Sequence, residues 1–437
     1  MARKARTFSP VDLEYIIIER PVVSDNLQGG GLQSGVARDI GANPEILAEA
    51  LEKADEPPPP PPPILSVTSA VLTAEEAQQH NDTPGLIAIP NMPVTLIEPR
   101  IAADFGLQVA ADAVGDAKAK TMAWGVDVVG AALSMMDGSG VRVAVIDTGI
   151  DSTHPAFAGK NITGRNFTGG DPADFADENG HGTHCAGTIF GGSVDGVRIG
   201  VAPGVKDVFI AKALDDRGRG STKAVLDALR WAAENKAQVV SMSIGFDFPG
   251  MVKRLVNAGQ DVPFATSIAL VAYRETLKQF ELCVADLLQE NASSQGMVIV
   301  AASGNESRAN ESPKNVVGVS VPAAASPDII SVGAALRNAA GAFEIAPFSN
   351  VGPRLSAPGV DIVSAKMGGG LVAMNGTSMA CPHVAGLAAL WWQNEREGGN
   401  AESGFAVRAN VVAGARPAGF AEGVPVVSRG KGLARAP

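Results

Sequence analysis

From Trp124 onward the chain carries five apolar runs of strand length: Val141–Ile146, Val208–Ala213, Gln238–Ile244, Met297–Ala302 and Ile329–Ala334. Stretches of helical pattern separate them. A strand that is apolar at nearly every position must be covered on both faces, and helices between successive strands supply that cover. The pattern predicts an α/β domain built on a mostly parallel sheet between helices. In such sheets functional groups gather beyond the carboxyl ends of the strands. Asp147 and Asn305 fall there. With 437 residues, 46% apolar content and 50 glycines, the chain can build this core and a smaller arm as well.

The arm is set off by an unbroken proline run, Pro57 to Pro63, which makes neither helix nor sheet and predicts a stiff spacer of roughly 20 Å. Before it, in the extension 1–56, lie a strand-like segment, Tyr15 to Ile18, a glycine-rich stretch and a short helical pattern around Pro44 to Lys53. After it, residues 64–100 read as a β-α-β-β unit. Ile64 to Val71 is the first strand, and Thr73-Ala74-Glu75-Glu76 has the spacing of a capping box opening a helix. Leu86 to Ile89 and Val94 to Ile97 follow as strands. Residues 101–122, rich in Ala, Asp and Lys, read as an exposed connector to the main domain, 123–437.

A formal charge of -11 lacks the basic face that a nucleic-acid partner requires. No apolar run is long enough to span a bilayer. The basic start, MARKARTFSP, is not followed by an apolar segment of signal-peptide type. Three cysteines cannot all pair, which suits a reducing compartment or a fold that needs no staples. The expectation is a cytoplasmic protein without nucleic-acid or membrane partners, export by a route without a cleaved signal being left open.

The chemistry concentrates in four short segments. In Asn375-Gly376-Thr377-Ser378-Met379-Ala380 a serine sits after a tight turn and opens a helical run, so free backbone N–H groups point at any nearby oxyanion. A serine hydroxyl becomes a nucleophile only with a base and with dipoles awaiting the charge. In Gly180-His181-Gly182-Thr183-His184 a histidine flanked by glycines at a helix start is placed as a general base. His184 competes for that role. The two histidines also resemble a metal pair, but no carboxylate stands at ligand spacing in that helix, and no metal is expected there. Asp147 closes its strand and can orient an imidazole, although alone it reads more readily as a turn or cap residue. Asn305, after Ser303-Gly304, is alone a turn residue, yet its amide is a suitable oxyanion donor.

In the order Asp, His, Asn, Ser, with the flanks VAVIDTGID, NGHGTHCAGT, GVAPGVKDV, VVSMSIG, AASGN, FSNVGP, SAPGVDIVSA and NGTSMACPHVAG, the chain resembles the subtilisin-like serine peptidases, the subtilases. The resemblance covers roughly Trp124 to Pro437. It implies a three-layer subtilisin-like fold and a serine endopeptidase acting on protein or peptide substrates through an acyl-enzyme. It implies Asp147 as orienter, His181 as base and Ser378 as nucleophile, with Asn305 and the Ser378 backbone N–H as the oxyanion hole. It also implies that Ser243, Ile244 and Gly245 pair with an extended substrate. Ala301, Ala302, Ser303 and Gly304 would wall a roomy first specificity pocket. Ile64 to Pro99 resembles the later part of the inhibitory propeptide that precedes many such domains. The chain's own arm is thus a candidate intramolecular inhibitor, and the connector 101–122 a candidate processing region of a self-processed zymogen.

The chain departs from the family in three places. No cofactor is required for the chemistry, but many relatives bind structural calcium near the loop after the histidine helix. Here Ala156 follows His154-Pro155 where an Asp ligand often stands, and Gly191 to Gly196 offers few side-chain oxygens, so calcium is left open. Residues 246–296 form an enlarged insertion whose stretch Ala265 to Gln289 is patterned as a long amphipathic helix. The loop expected before it, Phe246 to Pro263, leaves from the substrate-pairing strand and is expected to rim the cleft. Cys185 and Cys381 read as small buried residues under the site rather than as nucleophiles.

Overall fold

The computed structural model describes residues 13–19, 66–107, 112–290, 296–400 and 402–437. The proline run and the helix expected around Pro44 to Lys53 lie outside the described residues. The chain divides into two compact units, one ending at Ile89 and the other beginning at Pro90.

The first unit is a three-stranded sheet of β1 (Leu13–Glu19), β2 (Ser66–Leu72) and β3 (Leu86–Pro90) in the order β2-β1-β3, with α1 (Ala74–Asn81) between β2 and β3. The β1–β2 pair is antiparallel, Leu13 facing Leu72 and Glu19 facing Ser66. Thr73 caps α1 in a full capping box: its hydroxyl accepts from Glu76 N–H (3.2 Å) and its own N–H donates to Glu76 Oε2 (2.8 Å). The Asn81 amide then ties the end of α1 to the backbone N–H and C=O of Ala88 in β3.

The strand expected over Val94–Ile97 forms as β4 (Pro93–Leu96), but it does not join that sheet. Pro90 ends β3, and Pro93 has no N–H to continue a ladder, so the chain leaves the first unit here. In the second unit β4 lies between β8 (Arg219–Ser221) and β10 (Ile244–Phe246), antiparallel to both.

The second unit is built on an eight-stranded sheet. Its path is β13 (Phe343–Ile345), β12 (Ile329–Arg337), β11 (Val298–Ala302), β9 (Val239–Met242), β5 (Val143–Asp147), β7 (Asp207–Lys212) and β6 (Asn161–Asn166), and β14 (Leu355–Pro358) also pairs with β12. Every pairing is parallel except β12–β13. Alternate residues of the central strand enter opposite cores. Val143 and Val145 pack with α3 (His181–Phe190) and α7 (Thr377–Glu397), whereas Ala144 and Ile146 pack with α4 (Thr222–Glu234) and α6 (Val262–Glu290). This is the three-layer α/β arrangement the apolar runs predict.

Two segments differ from expectation. The connector is not simply exposed: Ala102–Phe105 is a 3₁₀ turn and α2 (Ala113–Lys120) a helix. Phe105 is buried edge-on against Phe348, their ring centroids 5.5 Å apart. Burial of one aromatic ring outweighs the polar composition around it. The loop expected over Phe246–Pro263 contains α5 (Phe248–Asn257), which Asp247 opens by accepting from Gly250 N–H (2.8 Å). Asp at the cap with Pro249 in the first turn is a helix-start signal that the sequence carries openly.

The approach of α3 to the backbone just after β5 depends on Gly182. A Cβ on Gly182 would lie 2.2 Å from the Gly149 carbonyl oxygen. Gly182→Ala is therefore expected to destabilise the protein by about 1–3 kcal/mol. Thermal unfolding should show a lowered midpoint; an unchanged midpoint would mean that the backbones are not in contact.

Candidate active site

Asp147 is the last residue of β5, and its carboxylate is 1% exposed. Its Oδ1 accepts from Thr148 N–H (2.8 Å) and from His181 Nδ1 (2.7 Å). His181 is the first residue of α3, whose N-cap, Gly180, stands at φ +93° and offers no capping side chain. Asp177 does that work from three residues further back. Its Oδ1 accepts from Gly180 N–H (2.9 Å) and the Thr148 hydroxyl (2.9 Å), and its Oδ2 from Thr183 N–H (2.8 Å) and hydroxyl (2.6 Å). Thr148 Oγ1 in turn accepts from Gly182 N–H (3.0 Å). A buried ammonium adds a further tie: Lys212 Nζ donates to the carbonyls of Thr148 (2.7 Å) and Ala176 (2.9 Å). The strand end and the helix start are thereby cross-linked.

The charges follow from this packing. Burial by itself pushes the His181 imidazole down, but the Asp147 charge and hydrogen bond, helped by Asp177 and Glu98, raise it above its usual range. For Asp177 burial works upward, yet the hydrogen bonds from Thr183, Gly180 and Thr148 prevail and hold it below the usual carboxylate range. His184 points elsewhere, its Nε2 at 2.8 Å from the Ile362 carbonyl, and burial drives it down to about 3. It is not placed to act as the base.

Ser378 is the second residue of α7, and Gly376 is the N-cap of that helix. Pro382 lies four residues further on and has no N–H to return to the Ser378 carbonyl. That carbonyl instead accepts from Cys185 Sγ (3.3 Å) and from Ser243 Oγ (3.4 Å). Cys381 Sγ similarly donates to the Met242 carbonyl (3.5 Å). Burial raises both thiols, Cys185 well above its ordinary value and Cys381 to about 12, so neither is a thiolate at neutral pH. Among the described residues Asp147, His181 and Cys185 also form a tight potential ligand group, but the Asp147–His181 hydrogen bond and the protonated thiol leave no open ligand set.

Asn305 follows β11. Its Oδ1 accepts from Thr377 N–H (2.9 Å) and hydroxyl (2.9 Å), which leaves its Nδ2 to face the segment after β4. Ser243 immediately precedes β10, of which Ile244 and Gly245 are the first two residues, while Ala301 and Ala302 close β11 and Ser303 and Gly304 follow it. Gly304, at φ +107°, donates its N–H to Thr377 Oγ1 (3.2 Å).

The chain's own segment Thr95 to Arg100 lies against these residues. β4 pairs Leu96 with Ile244 and Thr95 with Gly245, Leu96 N–H donates to the Gly218 carbonyl (2.8 Å), and Ile97 N–H donates to the Ser243 carbonyl (3.3 Å). The Ser378 hydroxyl donates to the Ile97 carbonyl (2.9 Å), and Asn305 Nδ2 donates to the carbonyl of the next residue, Glu98 (2.9 Å). His181 Nε2 is buried with no hydrogen-bond partner. Beyond Pro99, Arg100 N–H donates to the Asn375 carbonyl (2.8 Å) and its C=O accepts from Asn375 Nδ2 (3.1 Å).

Sequence reasoning missed Asp177, Thr148, Thr377 and Pro382. Asp177 carries a signal, an Asp shortly before a Gly-His helix start, and Pro382 inside a helical run announces a freed carbonyl. The role of Thr377 carries none, because it depends on a turn 72 residues away.

Two buried histidines give the stability a definite pH dependence. Burial lowers His184 to about 3 and His383 to about 4. As pH falls below about 6.5 the unfolded chain takes up protons on both and the folded chain does not, so stability declines by about 1.4 kcal/mol per unit for each. His181, raised in the fold, contributes the opposite way: its share is full below about 6.5 and is lost as pH rises. In a Ser378→Ala background, denaturant midpoints should fall between pH 6.5 and 4. His383→Gln, if it folds, should have a shallower slope; a flat profile would refute the burial of neutral histidines.

The subtilase family model matches residues 138–431. An intracellular serine protease of Paenibacillus polymyxa is 35% identical over 58% of this chain and 67% of its own length. The major intracellular serine protease of Bacillus subtilis (strain 168) is 32% identical over 60% of this chain and 70% of its own. Subtilisin BL of Lederbergia lenta is 35% identical over 62% of this chain and 84% of its own. Taken with the parallel sheet and the Asp147–His181 pair, these matches show that the chain belongs to the subtilase family and is a subtilisin-like serine endopeptidase.

Proposed function

We propose that Ser378 is the nucleophile, His181 the general base and Asp147 its orienter. Ser378 Oγ attacks the scissile carbonyl carbon while His181 Nε2 takes the hydroxyl proton. The charge that forms on the carbonyl oxygen is held by Asn305 Nδ2 and the Ser378 N–H. His181 then gives the proton to the leaving amine, and water hydrolyses the acyl-ester. The buried Asp147–His181 hydrogen bond of 2.7 Å carries this reading. It fixes a proton on Nδ1 and leaves Nε2 as the acceptor. Ser243 to Gly245 pair with an extended substrate, and Ala301 to Gly304 wall a pocket for the residue before the cleaved bond.

The chain's own segment around Ile97 acts as an intramolecular inhibitor in this reading. Its strand occupies the substrate's place, but the contacts at the reacting centre are displaced by one carbonyl. The Ile97 carbonyl accepts the hydrogen bond from the Ser378 hydroxyl, so that hydroxyl does not donate to His181, and Asn305 is spent on Glu98. Attack needs both donors rearranged, so the peptide blocks the cleft without being cut. Processing in the connector 101–122 is proposed as a later step, carried out by a second molecule while the first holds its own segment. A cytoplasmic location is supported by the two relatives whose names call them intracellular. Among the described residues no helix is long and apolar enough to cross a membrane. Structural calcium near Ala156 has a poor donor set: Asp195 is paired with Lys118 (3.1 Å), and the Ala156 carbonyl accepts from Gly192 N–H.

Peptide hydrolysis separates the roles. In subtilisin the loss of one oxyanion donor lowers turnover by about 10²–10³ and the loss of the nucleophile by about 10⁶. Asn305→Ala is expected to keep measurable activity and Ser378→Ala essentially none; equal losses would contradict this division of labour. Intact-mass measurement should show loss of about the first hundred residues in wild type and not in Ser378→Ala if the arm is processed by the enzyme itself.

A further inference from the structure

The bound segment engages the protein well before the residues that face Ser378. Taking Ile97 as the residue before the scissile bond (P1), Leu96 is P2, Val94 is P4, Met92 is P6 and Pro90 is P8. Four anchors lie beyond P4. Asp247 N–H, at the start of α5, donates to the Pro93 carbonyl (2.8 Å). Thr222 donates to the Met92 carbonyl through both its N–H (3.0 Å) and its hydroxyl (3.2 Å). Lys223 N–H donates to the side-chain oxygen of Asn91 (3.3 Å), and the Thr276 hydroxyl of α6 donates to the Pro90 carbonyl (3.4 Å). Thr222 and Thr276 are both fully buried.

The side chains are sorted as sharply as the backbone. Met92, Val94 and Leu96, on the same face of the extended segment, are 0%, 0% and 4% exposed. Val94 and Leu96 belong to the same apolar cluster as Phe280 and Cys283 of α6. The insertion therefore extends the groove with donors on α5 and α6 where a shorter connection would leave it open.

We infer that Asp247, α5 and α6 of the insertion, together with Thr222 and Lys223, form an extended specificity site reading substrate positions P5 to P8. This inference rests on the peptidase reading above and names its substrate class. The substrate is an extended polypeptide with apolar side chains at P2, P4 and P6 and an Asn- or Asp-type acceptor at P7. A side-chain oxygen at P7 satisfies the Lys223 N–H, which an aliphatic residue leaves without that acceptor. A bulky apolar P6 fills the space that Met92 fills here. Four added anchors favour long substrates over tetrapeptides, because each bond is made only when the chain reaches that far.

The test compares two fluorogenic peptides on the full chain: Val-Thr-Leu-Ile and Pro-Asn-Met-Pro-Val-Thr-Leu-Ile, each carrying the same leaving group. Both compete with the chain's own segment, so its occupancy cancels in the ratio of kcat/KM. The longer peptide should be preferred by about ten-fold or more. Replacing its Asn by Ala, or its Met by Asp, should remove most of that preference, and Thr276→Val should narrow the ratio. Hydrolysis of both peptides with equal kcat/KM overturns the extended site and leaves the peptidase reading standing. Hydrolysis of neither, with no fluorophosphonate label on Ser378, overturns the peptidase reading and this inference with it.

Discussion

The site depends on the hydrogen bond between His181 Nδ1 and Asp147 Oδ1, 2.7 Å long and closed to water. It joins the end of a central strand to the first residue of a helix, so its geometry is only as good as the approach of those two elements. Gly182 permits the approach because it has no Cβ to meet the Gly149 carbonyl, while a Cβ on Gly149 would instead strike the Phe175 and Ala176 carbonyls. Asp177 and Thr148 then fix it, each bonding to both the strand end and the helix start. A misplacement of an ångström at a reacting centre is costly in rate, and this second ring of contacts prevents one.

A comparable economy governs the serine. Pro382 removes the N–H that would have closed the first turn of α7, and the freed Ser378 carbonyl is satisfied by Cys185 and Ser243. These come from α3 and from the residue just before β10. One missing donor thus ties together three elements that must keep register. Cys185 serves there as a weak hydrogen-bond donor of the right size, and burial keeps it protonated.

Much of this was legible in the sequence. The apolar runs announced the sheet because a strand buried on both faces leaves no polar alternation. Thr73 and Glu76 announced a capping box by spacing alone. Asp147, His181, Asn305 and Ser378 each sat in a local pattern that suited the chemistry proposed for it. The destination of β4 was not legible. Its alternation says strand, but its partners lie at Arg219–Ser221 and Ile244–Phe246, more than a hundred residues on, and nothing local chooses between them and β3. The polar connector likewise concealed Phe105, whose packing against Phe348 depends on contacts far along the chain.

On the proposed reading, a peptidase whose serine hydroxyl is hydrogen-bonded to its own backbone is a restrained enzyme. The rate at which a fluorophosphonate labels Ser378 measures that restraint most directly. Leu96→Asp places a charge in the apolar cluster that holds β4 and should loosen the segment. The variant is expected to label about ten-fold faster than the intact wild-type chain or more, with no label in Ser378→Ala. Equal labelling rates in the variant and the intact wild-type chain would contradict the view that the Ile97 segment holds the serine in check.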